Sequence, residues 1–138
     1  MPEPLTVIAV DPGRSKCGVA VVAGVAETEV LHREVVPTHA LAATLPHLVT
    51  RHNPDAILVG NGTMASDAVK ACEAIGLPVE VVDERLTSVE ARKRYFAENP
   101  PRGLRRLIPT SMQTPDRPID DYVAVILAER YLLRSPDL

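Results

Sequence analysis

The sequence predicts an α/β fold in which helices flank one mixed, five-stranded sheet. Three observations favour it: three consecutive strand-like segments open the chain, two short apolar segments then alternate with helical patterns, and an amphipathic helix closes it. Hairpin neighbours pair antiparallel, whereas strands joined by a helical crossover pair in parallel. We therefore expect the first three strands to form a meander and strands one, four and five to run parallel.

The first half of the chain contains three apolar or alternating segments and one helical pattern. The three segments predict strands over residues 5–10, 17–23 and 28–36. Asp11-Pro12-Gly13 separates the first two and favours a tight turn. A helix that contains Pro46 is predicted over 38–52.

The second half alternates short apolar strands with helices. The predicted elements are a strand at 55–60, a helix ending at Gly76, a strand at 78–83 and helices at 88–98 and 119–134. Thr87 and Glu90 have the spacing of a capping box, in which each side chain binds a backbone amide of the first turn. Prolines and arginines between 99 and 118 predict a mobile or substrate-ordered loop.

Length and composition are typical of one soluble domain. The 138 residues allow a single domain over 1–138, and 46% hydrophobic residues suffice for its core. The acidic, proline-containing start is unlike a signal peptide and no apolar run reaches membrane-spanning length, so we expect a cytoplasmic protein without a membrane partner. Cys17 and Cys72 lack a CxxC spacing and are expected to be buried thiols rather than a disulfide or zinc site.

A basic stretch stands out against the overall charge of −3. The stretch from Arg85 to Arg117 contains eight basic residues and only three acidic ones. Such a run of charges is commonly just a solvated helix face. If a metal site lies beside it, binding of a polyanionic substrate becomes the better interpretation. The residues predicted to bind nucleic acid are Arg14, Lys16, Arg85, Arg92, Arg102, Arg105 and Arg106. Tyr95 and Phe96 are expected in the core rather than stacked on bases.

Carboxylates occur at three separated places where predicted elements begin or end. Asp11 ends the central strand, Asp83 and Glu84 end the fifth, and Asp120 and Asp121 open the last helix. Ligand sites in open α/β sheets lie at the carboxyl ends of parallel strands, so these groups suggest one divalent-metal centre. Strand alternation sends Asp83 and Glu84 to opposite sides, but helical periodicity does not choose between Asp120 and Asp121. Asp11 has the simpler alternative of capping its turn.

Three strings in the sequence resemble the YqgF/RuvX family of RuvC-like nucleases, in the ribonuclease H-like superfamily. They are Val10-Asp11-Pro12-Gly13 with Gly18-Val19-Ala20-Val21, Asp83-Glu84-Arg85-Leu86-Thr87-Ser88-Val89-Glu90-Ala91, and Ile119-Asp120-Asp121-Tyr122-Val123-Ala124. The resemblance spans nearly the whole chain and implies a ribonuclease H-like fold. It also implies that Asp11, Glu84 and Asp120 are the catalytic metal-binding acids, with Asp121 as a further, outer contributor to the metal site.

The resemblance further implies a hydrolase that cleaves phosphodiester bonds with two Mg²⁺ or Mn²⁺ ions. Its expected substrates are four-way junction DNA, the 5′ end of precursor 16S ribosomal RNA, or both. A homodimer would suit two symmetric cuts in a junction.

Two other functions remain open from the sequence. Gly60-Asn61-Gly62-Thr63 stands where many family members have Gly-Leu-Pro-Leu. It resembles the corresponding domain of Tex-type transcription factors, a catalytically silent nucleic-acid-binding module. The filled carboxylate positions argue against a silent module. The hairpin from Asp11 to Gly18 also resembles the phosphate-binding hairpin of actin-like ATPases, but those enzymes close two domains over ATP.

Overall fold

The structure is a computed structural model that describes residues 5–24, 27–62, 64–85, 87–115 and 117–133. Its strands are β1 (Leu5–Asp11), β2 (Lys16–Gly24), β3 (Thr28–Pro37), β4 (Ala56–Gly60) and β5 (Val79–Val82). Its α-helices are α1 (Leu41–His52), α2 (Ala65–Glu73), α3 (Thr87–Glu98) and α4 (Asp120–Leu132). Short 3₁₀ turns occur at Thr38–Ala40, Gly103–Leu107 and Thr110–Met112.

The five strands form one mixed sheet in the order β3-β2-β1-β4-β5. β2 pairs antiparallel with both β1 and β3, while β1 pairs parallel with β4, and β4 with β5. The predicted meander, the central position of β1 and the parallel arrangement of strands one, four and five are confirmed. The carboxyl ends of β1, β4 and β5 consequently share one edge of the sheet.

Two hydrophobic clusters cover the two faces of this sheet. Val7 and Ala9 of β1 pack with residues of α3 and α4, whereas Ile8 and Val10 pack with residues of α1 and α2. Such burial on both faces explains the uninterrupted apolar sequence of the central strand. It also anchors the strand that ends at Asp11 on both faces.

Helix α4 is buried more completely than an amphipathic pattern suggests. Every residue from Asp121 to Ala128 is buried, because the sheet covers one side and α3 packs against another. A helix enclosed in this way has no single apolar stripe.

Several local expectations differ from the structure. The residues of the expected capping box have other partners: the Thr87 hydroxyl donates to the Glu84 carbonyl oxygen at 2.6 Å, and the Glu90 carboxylate accepts from Arg130 at 2.7 Å. Residues Thr38–Ala40 form a 3₁₀ turn, and the α-helix expected from residue 38 begins at Leu41. The Thr38 hydroxyl donates to the Gly13 carbonyl oxygen. The proline-rich stretch contains two 3₁₀ turns.

The expectations for the buried side chains are confirmed. Cys17 and Cys72 are buried free thiols. Tyr95 and Phe96 lie in the core with their rings edge to face at 5.2 Å. Within the described segments, no helix is long and apolar enough to cross a bilayer.

Candidate active site

Three acidic side chains meet at the edge formed by the carboxyl ends of the parallel strands. Asp11 is the last residue of β1, Glu84 lies just beyond β5, and Asp120 is the first residue of α4. The Asp11 side chain lies within hydrogen-bonding reach of both Glu84 and Asp120. Asp11 is therefore the central member of the cluster, and each of the other two acids meets it from a different element.

Glycines make this close approach possible. Gly18 of β2 is the pairing partner of Asp11, and a Cβ atom there would overlap the Asp120 carbonyl group. A Cβ at Gly60 would overlap Glu84 Oε2, and one at Gly62 would lie 2.6 Å from Glu84 Oε1. The start of α4 thus rests directly on β2, and the Glu84 carboxylate lies in a cradle made by the end of β4.

Backbone contacts fix the segment that carries Glu84. The Glu84 amide donates to Asn61 Oδ1 at 3.1 Å, and Thr87 donates from its amide and its hydroxyl to the Glu84 carbonyl oxygen. Arg130 Nη1 of α4 donates to the Arg85 carbonyl oxygen at 2.6 Å. Sequence reasoning did not assign Gly60 and Asn61 to the site, and their position directly after the buried fourth strand is the signal that identifies them.

Burial and mutual repulsion perturb these carboxyl groups. Burial, then the negative charges of Glu84 and Asp120, raise the pKa of Asp11 from 3.8 to about 8. Burial also raises the pKa of Glu84, although its hydrogen bond with Asp11 acts in the opposite direction. Glu84 Oε2 is buried without a hydrogen-bond partner. A cation that bound between these oxygens would relieve both the repulsion and the unsatisfied acceptor.

The donor set suits a hard divalent cation. All three side chains offer carboxylate oxygens, the ligands that Mg²⁺ and Mn²⁺ prefer. The described residues contain no group of three His, Cys, Asp or Glu already arranged to hold a metal ion. The acids instead form two pairs that share Asp11, so they fit an ion that draws Glu84 and Asp120 towards Asp11.

Asp121 belongs to a different cluster. It is only 4% exposed, and its two carboxylate oxygens accept from Arg117 at 3.1 and 3.3 Å, with Arg33 at 3.8 Å. Successive helical residues point about 100° apart, which separates Asp121 from its neighbour Asp120. The structure does not bring the Asp121 side chain among the contacts of Asp11.

Asp83 is exposed and pairs with its own neighbour. Its carboxylate accepts from the Arg85 amide at 2.9 Å and lies 3.8 Å from Arg85 Nε. Since β5 ends at Val82, Asp83 lies beyond the strand rather than within it as expected. Glu84 is the member of this pair that faces Asp11.

The predicted nucleic-acid-binding residues fall into three places. Arg14 and Lys16 are exposed beside the β1–β2 turn, and Arg85 is exposed directly after Glu84. Arg102, Arg105 and Arg106 are exposed at the 3₁₀ turn Gly103–Leu107. Arg92 differs, since it is half-buried on α3 and its Nη1 donates to the Ser111 carbonyl oxygen at 3.5 Å.

The family to which the chain belongs follows from a match over nearly its whole length. The sequence model of the RuvX family, described as Holliday junction resolvase, matches residues 5–134. The chain belongs to the RuvX family. The family expected from the three sequence strings is thereby confirmed, and with it membership of a family of phosphodiester-cleaving enzymes.

Relatives of this RuvX chain carry a second description. A protein of Picosynechococcus sp. named "Putative pre-16S rRNA nuclease" is 32% identical over 110 residues, which are 70% of this chain and 76% of the relative. A protein of Legionella pneumophila (strain Lens) with the same name is 28% identical over 104 residues, 67% of this chain and 68% of the relative.

Solved structures confirm the RuvC-like, ribonuclease H-like fold of the RuvX chain. Thermus thermophilus RuvC superposes with a TM-score of 0.62 at 18% identity, covering 90% of this chain and 91% of that one. The Fowlpox virus resolvase, solved with substrate Holliday junction DNA, has a TM-score of 0.61 at 13% identity and covers 93% and 97% of the two chains.

Proposed function

We propose that this chain is a divalent-metal-dependent endonuclease that hydrolyses phosphodiester bonds of structured nucleic acid. The observation that carries the proposal is the contact of Asp11 with both Glu84 and Asp120, beside the buried, unpartnered Oε2 of Glu84. These three residues are the proposed metal ligands. Asp121 is left out of the set because Arg117 already engages both of its carboxylate oxygens.

Asp11, Glu84 and Asp120 would hold two Mg²⁺ or Mn²⁺ ions, and Asp11 would be the central ligand because it faces both other acids. Such ions make an attacking water more acidic and neutralise the leaving oxyanion. The protein's own contribution is to hold Glu84 through the Gly60–Gly62 cradle and the amide bound to Asn61, and to hold the start of α4 through its close contact with Gly18.

Exposed cations beside the acids would bind the substrate backbone. Arg14 and Lys16 follow Asp11 in the chain and Arg85 follows Glu84, so they are the proposed contacts to phosphates next to the scissile bond. Arg102, Arg105 and Arg106 would bind phosphates further away. Contacts of this kind position a nucleic acid without reading its sequence.

The proposed substrates are four-way junction DNA, the 5′ end of precursor 16S ribosomal RNA, or both. The description of the RuvX family supports the first, and the names of the relatives from Picosynechococcus and Legionella support the second. A homodimer is proposed for the junction, since two symmetric cuts need two active sites.

A side-by-side cleavage assay tests the proposal. A synthetic four-way junction and a precursor 16S 5′-end fragment are each incubated with the protein in Mg²⁺, in Mn²⁺ and in EDTA. We expect metal-dependent cleavage of at least one, loss of cleavage in Asp11→Asn, and retained cleavage in the matched control Asp83→Asn. Tight binding without cleavage in either metal would contradict the proposal and favour a silent Tex-type module.

A further inference from the structure

The segment between α3 and α4 exposes apolar side chains to an unusual degree. Leu104 is 83% exposed, Leu107 and Met112 are each 77% exposed, and Ile108 lies between them. Single exposed leucines are common on proteins, but several in one short segment mark a contact surface.

The geometry of the 3₁₀ turn Gly103–Leu107 sorts its side chains by type. With three residues per turn, residues i and i+3 lie one above the other, so Leu104 and Leu107 share a face. Arg105 and Arg106 take the two remaining faces. The turn therefore presents an apolar ridge, Leu104 with Leu107, that has a guanidinium group on either side.

This ridge is held in place from beneath. Gln113 is only 8% exposed, and its Nε2 donates to the carbonyl oxygens of Arg105 at 2.7 Å and Ile108 at 2.8 Å. Arg92 of α3 also reaches the segment, through the Ser111 carbonyl oxygen. Because these bonds fix the backbone on the inner side, the two leucines remain directed outwards.

A pocket of about 410 Å³ lies next to the ridge. Arg102 and Arg105 line it, together with Pro100 and Pro101 and with aromatic residues of α3. Its one acidic member, Glu98, already has cationic partners in Arg33 and Arg94, each at 3.5 Å. The pocket thus combines aromatic rings and prolines with polar side chains and two guanidinium groups, at a volume typical of small-ligand sites.

We propose that the turn Gly103–Leu107 separates stacked bases in a structured nucleic acid. Leu104 and Leu107 insert between two bases, Arg105 and Arg106 bind the phosphates on either side, and the neighbouring pocket receives the displaced base. The inference rests on the proposed function in taking nucleic acid as the ligand. It adds a site that the metal-binding acids do not require.

Charge favours nucleic acid over a second copy of the chain at this surface. A two-fold contact through the ridge would bring the same patch of each copy together, and with it Arg105 and Arg106 of both copies. Like charges placed opposite one another oppose such a contact, whereas phosphates complement them.

The test uses 2-aminopurine, a base whose fluorescence rises when it is unstacked. It is placed beside the branch point of a four-way DNA junction and, separately, at the end of an RNA stem, and binding is measured in Ca²⁺. We expect the wild type to raise the fluorescence and Leu104→Ala/Leu107→Ala to lose that rise, with binding weaker on the order of tenfold. The matched control, Leu31→Ala/Leu133→Ala, removes two leucines exposed elsewhere and should behave as wild type.

The outcomes separate this inference from the proposed function. An unchanged fluorescence rise in Leu104→Ala/Leu107→Ala overturns the inference, as does a loss of self-association in that variant by sedimentation, which would make the ridge a contact between copies. Cleavage by the wild type without any fluorescence rise overturns the inference and leaves the nuclease intact. A fluorescence rise without cleavage in Mg²⁺ or Mn²⁺ overturns the nuclease and leaves the inference intact. A failure to bind either probe overturns both the inference and the proposed function.

Discussion

Glu84 Oε2 occupies the space that a Cβ atom at residue 60 would need. Gly60 ends β4, and the carboxylate reaches it from beyond the neighbouring strand β5. This contact joins two parallel strands through one acidic side chain, and it makes the position of that side chain sensitive to a single methyl group.

Gly60→Ala should therefore displace the Glu84 carboxylate and lower both stability and cleavage. Overpacking of this kind costs about 1–3 kcal/mol in free energy of unfolding. The measurement is a double-mutant cycle by chemical denaturation with Glu84→Ala, which removes the clashing atoms. We expect Gly60→Ala to cost clearly less in the Glu84→Ala background. An equal cost in both backgrounds would assign the strain to another neighbour, such as Leu127.

Asp11→Asn should abolish cleavage while raising or preserving the stability of the metal-free protein, because it removes a buried carboxyl group among like charges. The raised pKa of Asp11, about 8, also fixes a pH dependence. The folded protein keeps this proton where the unfolded chain has lost it, so metal-free stability falls as the pH rises from about 4 towards 8.

Thermal melting in EDTA across this pH range tests both parts. In Asp11→Asn, the part of the fall in melting temperature that comes from Asp11 should be absent. The melting temperature of the variant should therefore exceed that of wild type by more as the pH rises. A large drop in melting temperature for Asp11→Asn would show that Asp11 is structural and not a metal ligand.

Glu84→Gln should be nearly inactive at saturating Mg²⁺, whereas Asp83→Asn should keep measurable activity. The reason is that Glu84 faces Asp11, while Asp83 is exposed and pairs with Arg85. Single-turnover rates provide the comparison, since they report the chemical step rather than product release. The reverse order of rates would exchange the two assignments.

Replacing Arg102, Arg105 and Arg106 together by glutamine should weaken substrate binding and flatten its salt dependence. Each lost phosphate contact lowers the slope of log K against log salt by roughly 0.7 for single strands and 0.9 for duplex DNA. Binding titrations at several salt concentrations measure it. Arg51→Gln/Lys70→Gln neutralises two exposed charges on α1 and α2 and serves as the control. A slope equal to that of wild type would make the three arginines ordinary surface residues.

Asp121→Ala should destabilise the protein, in contrast to Asp11→Asn. It leaves Arg117 and Arg33 without their shared carboxylate. Breaking a fully buried pair costs about 3–5 kcal/mol, and we expect about 2 kcal/mol here because Arg117 is 42% exposed. Denaturant unfolding is the measurement. A variant more stable than wild type would show that Asp121, like Asp11, is destabilised by neighbouring carboxylates.

The sequence was sufficient for the sheet and for the three places where acids meet its edge. Hydrophobic runs such as 5–10 and short connections determine which strands pair. Asp11 and the pair Asp83 and Glu84 follow from strand ends, whereas the choice of Glu84 came from the family resemblance. Helical periodicity could not distinguish Asp120 from Asp121, because α4 is buried on nearly all sides and has no single apolar face.

Long-range contacts account for what the sequence did not reveal. The partner of Glu90 is Arg130, 40 residues away, and local spacing gives no sign of such a pair. The roles of Gly60 and Asn61 arise only when β4 and β5 lie side by side. The outward direction of Leu104 likewise depends on the hydrogen bonds of Gln113 beneath the turn.

The contact between Gly18 and Asp120 determines when, during synthesis of the chain, the three acids can come together. Asp120 leaves the ribosome 109 residues after Asp11, and the cluster is complete only once α4 has docked on β2. A nascent chain in which the sheet has already formed still lacks its third carboxylate. Under the proposed function, the docking of α4 is therefore the step that completes the metal centre.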